Sequence, residues 1–210
     1  MSSALTLPLQ RAWWRRKARH PLLAQRLAEP LPHLGFSQTR YVVIDLETTA
    51  LEPDAGEIAS IGWVVIEQAA VQLSQARHFH VAVQNEVGRS AVFHQLTDSD
   101  LEQGVALSRA LEALLEAIEH SVLVFHNAQL DMGFLNQAMK TLWGAPLLMP
   151  VRDTMAVERK RLLQRSGAIR AGDLRLFQCR RRYGLPDVTL HDALGDALAT
   201  AELWLAMNTP

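Results

Sequence analysis

The stretch Tyr41-Val42-Val43-Ile44-Asp45-Leu46-Glu47-Thr48-Thr49 limits the fold more than any other. Its apolar, β-branched opening predicts a buried strand. Side chains alternate along a strand, so Asp45 and Glu47 share a face. Two like charges held side by side near a buried strand repel each other. A cation between them removes the conflict, and a set of oxygen ligands alone favours Mg²⁺ or Mn²⁺ over zinc. A solvated acidic edge strand explains this one stretch equally well, because short motifs recur by chance.

The chain has 210 residues, 49% of them hydrophobic and 20% charged. That suits one globular domain with a full core, or a domain with an extension. Net charge is −1, so the total says nothing about partners, but the distribution does. Arg11, Arg15, Arg16, Lys17, Arg19 and Arg26 precede the first acid, Glu29. Residues from Asp98 to Glu119 are acidic, and those from Arg152 to Arg182 are basic. Such asymmetry fits a polyanion lying along one side, although basic helix faces are commonly just solvated. Cys179 is the single cysteine. It excludes an internal disulfide, and the expected compartment is the reducing cytoplasm. The expectation for its side chain is a small packed residue rather than a nucleophile. No apolar run is long enough to cross a bilayer, and the basic start is not followed by an apolar signal core. An organelle transit peptide shares the Arg-rich, acid-poor character and is the alternative reading of that segment.

Residues 1–39 read as a basic extension, with Leu22, Leu23, Leu27 and Leu31 on one face of a short helix after Pro21. Trp13 and Trp14 beside Arg15, Arg16 and Lys17 suit either stacking on bases or packing on the domain or a protein partner. Residues 40–210 read as one domain. Strands are predicted at 40–46, 58–67 and 71–83, the last two joined by a turn at Gln68 and Ala69. Three strands so close together form an antiparallel meander. Thr97 and Asp100 resemble a capping box. Residues 108–119 follow a 3.6 period and predict an amphipathic helix. A buried strand at 122–125, a helix capped by Asn127 and a strand at 147–151 follow. Helices at 153–164, 173–182 and 190–207 complete the chain. The result is an α/β fold: a five-stranded mixed sheet flanked by helices.

Two more acidic sites stand on this frame. Asp131 lies in the first turn of a helix that leaves a buried strand, where the helix dipole alone would favour an acid. His191 and Asp196 lie five residues apart, about 140° around a helix. They can serve one site only if His191 sits on the incoming loop and Asp196 inside the helix.

A D-x-E on a strand, an H-N-A-x-x-D at a strand–helix junction and an H-x-A-x-x-D in the last helix, in that order, are specific together. From about Arg40 to Met207 the chain resembles the DEDDh-type 3′–5′ exonucleases of the ribonuclease H-like fold. Within them it is most similar to the exonuclease domain of the proofreading epsilon subunit of bacterial DNA polymerase III. The likeness extends to Phe93-His94-Gln95-Leu96, to Val151–Arg159 and to Arg182-Tyr183-Gly184. Ala50 stands where the family usually has Gly, and Leu130 where an aromatic often precedes the second-motif Asp. The chain stops soon after the last helix, without the tail that tethers the polymerase subunit, which argues against a constitutive polymerase role.

The resemblance implies that Asp45, Glu47, Asp131 and Asp196 hold two divalent cations, Mg²⁺ or Mn²⁺, roughly 4 Å apart, with His191 as general base. It places Thr48, Thr49, His94 and Asn127 at the substrate pocket, with His126 and Asn127 mainly fixing the turn that delivers Asp131. The implied partner is a DNA 3′ end, single-stranded or mismatched, releasing nucleoside 5′-monophosphates. Arg175, Arg180, Arg181 and Arg182 are expected to extend the phosphate track. RNA trimming by the same chemistry is the alternative, since the metal site does not report the 2′ hydroxyl. A non-catalytic nucleic-acid-binding module would lack one of the five residues, and all five are present.

Overall fold

The computed structural model describes residues 7–32, 35–83, 104–188 and 192–208. Its centre is β1 (Arg40–Thr48), which pairs on one side with β2 (Ile58–Glu67) and on the other with β4 (Ser121–Phe125). The edges are β3 (Ala70–His80) and β5 (Val151–Asp153), giving the order β3-β2-β1-β4-β5. The first three strands are antiparallel, and β4 and β5 run parallel to β1. This is the mixed five-stranded, ribonuclease H-like sheet that the sequence predicts. Burial explains the strands: nine of the ten residues of β2 and all five of β4 are buried, as both faces of the sheet are covered. Gln68 and Ala69, both at positive φ (51° and 58°), make the two-residue hairpin between β2 and β3.

The two faces of the sheet differ. Val42, Ile44, Ile61, Trp63, Leu123 and Phe125 point into the larger core. Two helices cover it: α3 (Leu107–Ala117), through Leu111, Leu114 and Leu115, and α4 (Ala128–Trp143), through Phe134, Leu135 and Met139. Tyr41, Val43, Val64, Ile66, Val122 and Val124 face the other way, against Ala201 and Trp204 of α7 (Ala193–Asn208). Two helices lie between β5 and α7: α5 (Thr154–Ser166) and α6 (Leu176–Arg182).

Three expectations change. The fifth strand is Val151–Asp153, not 147–151. Leu147 and Met149 are buried in the larger core, and Pro150, with no N–H, contributes to pairing only by accepting from the Leu123 amide at 2.9 Å. Helix α6 begins at Leu176 rather than 173, because the Asp173 carboxylate accepts from the Arg170 amide (2.8 Å) in a turn that precedes it. Of the arginines expected to extend the phosphate track, Arg175, Arg181 and Arg182 are exposed and Arg180 turns inward. Arg180 is buried, donates to the carbonyls of Ala199 (2.6 Å) and Pro186 (3.1 Å) and pairs with Glu202 at 2.7 Å. Arg181 pairs with Asp187 at 2.6 Å, and Arg182 with Glu158 at 3.2 Å. Cys179 is buried with Leu203 and Met207, and burial pushes its thiol up to about 11. The capping-box pair Thr97 and Asp100 lies outside the described residues.

The N-terminal segment is a docked helical hairpin. Leu23 and Leu27 of α2 (Pro21–Ala28) belong to the larger core, and α2 packs on α3. The buried Arg11 of α1 (Leu7–Arg15) ties the hairpin together. Its guanidinium donates to the carbonyls of Arg26 (2.6 Å), Glu29 (2.9 Å) and Leu27 (3.3 Å) at the end of α2, where helical donors run out; among the described residues, only the Arg26 carbonyl also accepts from a backbone amide, that of Glu29 (3.3 Å). Arg11→Ala strands these carbonyls, and chemical denaturation should show a loss of about 1–3 kcal/mol. The rate on a short substrate should remain unchanged.

Candidate active site

The site is built where β1 outruns its parallel neighbour. Pairing with β4 ends at Val43, while pairing with β2 continues to Thr48. Asp45 and Glu47 therefore extend the row of Tyr41 and Val43 on the α7 face, as alternation requires. A register shift between Glu47 and Thr48 ends that regular row.

Asp196 arrives from the opposite direction. Asp45 lies directly across the ladder from Gly62. A Cβ on Gly62 would overlap the backbone of Ala193 and Leu194, so a side chain there is incompatible with the first turn of α7 resting on the sheet. Asp192 starts that helix by accepting from the Gly195 amide through its carboxylate (2.8 Å) and from the Asp196 amide through its carbonyl (2.9 Å). As a result, one carboxylate oxygen each from Asp45, Glu47 and Asp196 lies within 4.8 Å of the others.

Asp131 comes from α4. It is buried, and its carboxylate accepts a hydrogen bond from the Leu46 amide, between the two acids of β1. The turn before it is held differently from the sequence expectation. Asn127 occupies the N-cap position in a left-handed conformation (φ 86°), but its side chain makes no capping bond. Asp153 does that work from β5. Its carboxylate accepts from the amides of Asn127 and Ala128 (3.2 Å each) and also caps α5 through Met155 (2.9 Å) and Ala156 (3.2 Å). His126 is pinned beside them, with Nε2 2.8 Å from the Leu174 carbonyl and Nδ1 2.8 Å from the Thr154 hydroxyl. Burial holds this imidazole below its ordinary value.

The electrostatics follow from the crowding. Burial, then Asp131, Asp196, Glu47 and Asp192, raise Asp45 well above the carboxylate range. Burial also lifts Asp131 to about 7, against the opposing hydrogen bond from Leu46. Among the described residues, the charged neighbours named for Asp45 are all acids. This hard, oxygen-only donor set fits divalent cations such as Mg²⁺ or Mn²⁺.

The substrate residues expected next to the acids are only partly accounted for. The Thr48 hydroxyl donates to the Ala50 carbonyl (2.8 Å). Thr49 accepts from the Glu57 amide through its hydroxyl (2.8 Å) and donates its own amide to the Glu57 carbonyl (3.0 Å). Both side chains thus shape the turn after β1, and the Thr49 amide is engaged there. His94 and His191 lie outside the described residues. Sequence reasoning missed Asp153, Asp192 and the pair Ser60 and His78, whose Oγ and Nε2 are 2.7 Å apart. His78 pairs with Gly62, and Asp192 acts electrostatically on it. Asp192 carries a readable helix-start signature. The others depend on contacts across the sheet.

The Exonuclease family model matches residues 42–204, from β1 into α7, a span that carries all four acids. The chain belongs to the exonuclease family. This exonuclease-family chain is 32% identical over 172 residues to the PolC-type DNA polymerase III of Thermotoga petrophila, across 81% of the present chain and 12% of that protein. It therefore spans only a small part of that relative. It is 26% identical over 182 residues to the DNA polymerase III subunit epsilon of Pasteurella multocida, covering 81% of this chain and 68% of that one. Its fold matches E. coli Exonuclease I in complex with a 5cy-dT13 oligonucleotide, with a TM-score of 0.60 at 15% identity over 81% of this chain and 40% of that one.

Two tests follow. Gly62→Ala should displace α7 and misplace Asp196, lowering kcat by about 100-fold and stability by about 1–3 kcal/mol. Steady-state kinetics and thermal melts measure both. The second concerns pH. In the folded protein Asp131 holds its proton to about 7, well above an unfolded aspartate, so folding is favoured while it stays protonated. That advantage is lost as pH rises toward and through 7. In chelator the melting temperature should fall from pH 5 to 8. Mg²⁺ or Mn²⁺, or Asp131→Asn, should flatten the fall.

Proposed function

We propose that this chain is a divalent-cation-dependent 3′–5′ exonuclease that removes nucleotides from the 3′ end of DNA, single-stranded or mismatched, and releases nucleoside 5′-monophosphates. The observation that carries this reading is the convergence of Asp45, Glu47 and Asp196 within 4.8 Å, with the buried Asp131 beside them. Asp45, Glu47, Asp131 and Asp196 would hold two cations, Mg²⁺ or Mn²⁺. When bound, these would polarise the scissile phosphate and ease deprotonation of water.

The protein's own groups do the rest. The acids keep the metal-free pocket negative, so a phosphodiester enters productively only once the charge is balanced. His191 is the general base: it takes the proton of the attacking water as the new O–P bond forms and the P–O3′ bond breaks. It immediately precedes Asp192, the residue that starts α7. Thr48 and Thr49 shape the wall on which the terminal nucleotide rests, and the family resemblance assigns His94 to substrate binding. Asn127 acts through the backbone of the turn that presents Asp131. DNA is supported as substrate by the DNA polymerase III relatives and by the oligonucleotide complex of the structural neighbour. Residues 40–210 form the catalytic unit, and 1–39 its basic extension. The single buried thiol suits a reducing cytoplasm.

The test sets 3′-labelled single-stranded DNA, mismatched duplex and short RNA side by side with Mg²⁺ and with Mn²⁺. DNA should be shortened from the 3′ end, and faster turnover of RNA would replace this reading by RNA trimming. Asp45→Asn and Asp196→Asn should each lower kcat by at least about 10³-fold. His191→Ala should lose about 10²–10⁴-fold while Mn²⁺ titration calorimetry remains unchanged.

A further inference from the structure

We propose that the outer face of α1 is a binding platform for single-stranded nucleic acid, separate from the carboxylate site. The inference rests on the exonuclease reading, since it assigns the platform to the strand whose 3′ end occupies that site.

The platform is rigid. Besides the Arg11 bonds and the buried Leu23 and Leu27, the Arg19 amide donates to the Trp143 carbonyl at 2.8 Å. The His20 ring stacks on Trp143, with centroids 4.3 Å apart and planes 28° apart. These contacts fix the connection between α1 and α2 to the last turn of α4.

The two tryptophans divide their roles. Trp14 packs against the larger core. Trp13 meets it edge-on at 4.4 Å and remains 49% exposed, one turn from Leu9 at 74%. Lys17 lies over Trp13, its Nζ 3.6 Å from the ring centroid. An exposed aromatic with an ammonium beside it suits a stacked base next to a phosphate.

Charge makes the occupant an anion. Arg15, Arg16, Lys17 and Arg19 are all exposed, and none forms an ion pair among the described residues. The arginines of α6 show the contrast, since Arg180, Arg181 and Arg182 are each paired with an acid. Six basic and no acidic residues fall among the first 28, of 21 Lys and Arg and 22 Asp and Glu in all. The remainder of the chain thus has 15 basic residues against 22 acidic ones. A polyanion approaching that remainder meets net repulsion, and the hairpin supplies the compensating field. The helix α4 carries Asp131 in its first turn and Trp143 in its last, a rise of about 18 Å. The platform therefore engages a part of the strand several nucleotides from the end being cut.

The test uses the full chain in chelator, so that nothing is cleaved. Binding of a fluorescein-labelled thymidylate 20-mer is followed by anisotropy across a KCl series. The variants are Trp13→Ala and the double variant Arg15→Glu with Arg16→Glu, all at exposed positions. The double variant should bind at least tenfold more weakly, with a salt slope shallower by about 1.4, and Trp13→Ala should lose about fivefold or more. With Mg²⁺ restored, both should cleave a dinucleotide at the wild-type rate, because it is too short to reach α1. Wild-type binding and salt slope in variants with unchanged melting temperature would overturn the platform. If the same variants then lose an acidic protein that co-purifies with the wild type, α1 docks a protein instead. Failure of the wild type to cleave either substrate would sink the exonuclease reading, a result separate from the binding one.

Discussion

Gly62 and Asp45 face each other across the β1–β2 ladder, and the missing side chain at 62 is the constraint on which the rest of the site depends. With nothing above the sheet at that point, the backbone of Ala193 and Leu194 comes down onto it. The helix then has one available placement, and its first turn delivers Asp196 to the acids of β1. A strand, a strand–helix turn and a late helix otherwise have no reason to meet. Close packing turns that local absence into a global registration, because the core under α7 (Tyr41, Val43, Val64 and Trp204) fills only in that pose.

The acids that meet there oppose the fold that holds them. Asp45 and Asp131 are both raised, with burial as the leading cause and neighbouring carboxylates adding to it. Helix starts on both sides hold the acids in place despite this.

Sequence reading succeeded where one physical signal dominates. The run Ile58–Glu67 is apolar on both faces, and its ends agree residue for residue with β2. The i, i+2 relation of Asp45 and Glu47 needs only the pleat of a strand. The order of the acids along the chain is specific, and Asp45, Glu47 and Asp196 converge. The failures lie where partners come from far away. Asn127 looks like a cap and stands at the cap position, yet the carboxylate that serves its helix belongs to Asp153, 25 residues on from Ala128. The strand expected at 147–151 was displaced by Pro150, which cannot donate. The basic run of α6 reads as a surface for phosphates, but Arg180 turns inward to Glu202 and to the carbonyls of Ala199 and Pro186. Composition cannot tell an arginine facing inward from one facing out.

Asp153 joins two helix starts with one side chain. In most proteins, a lost N-cap frays a single end and little else changes. Here the same carboxylate holds the entry to α5 and the turn that presents Asp131, so wear at one helix would be felt as a shift of the other. A residue outside the cluster of Asp45, Glu47 and Asp196 thereby sets how Asp131 is presented. Variation at position 153 should be as restricted as variation among the acids themselves.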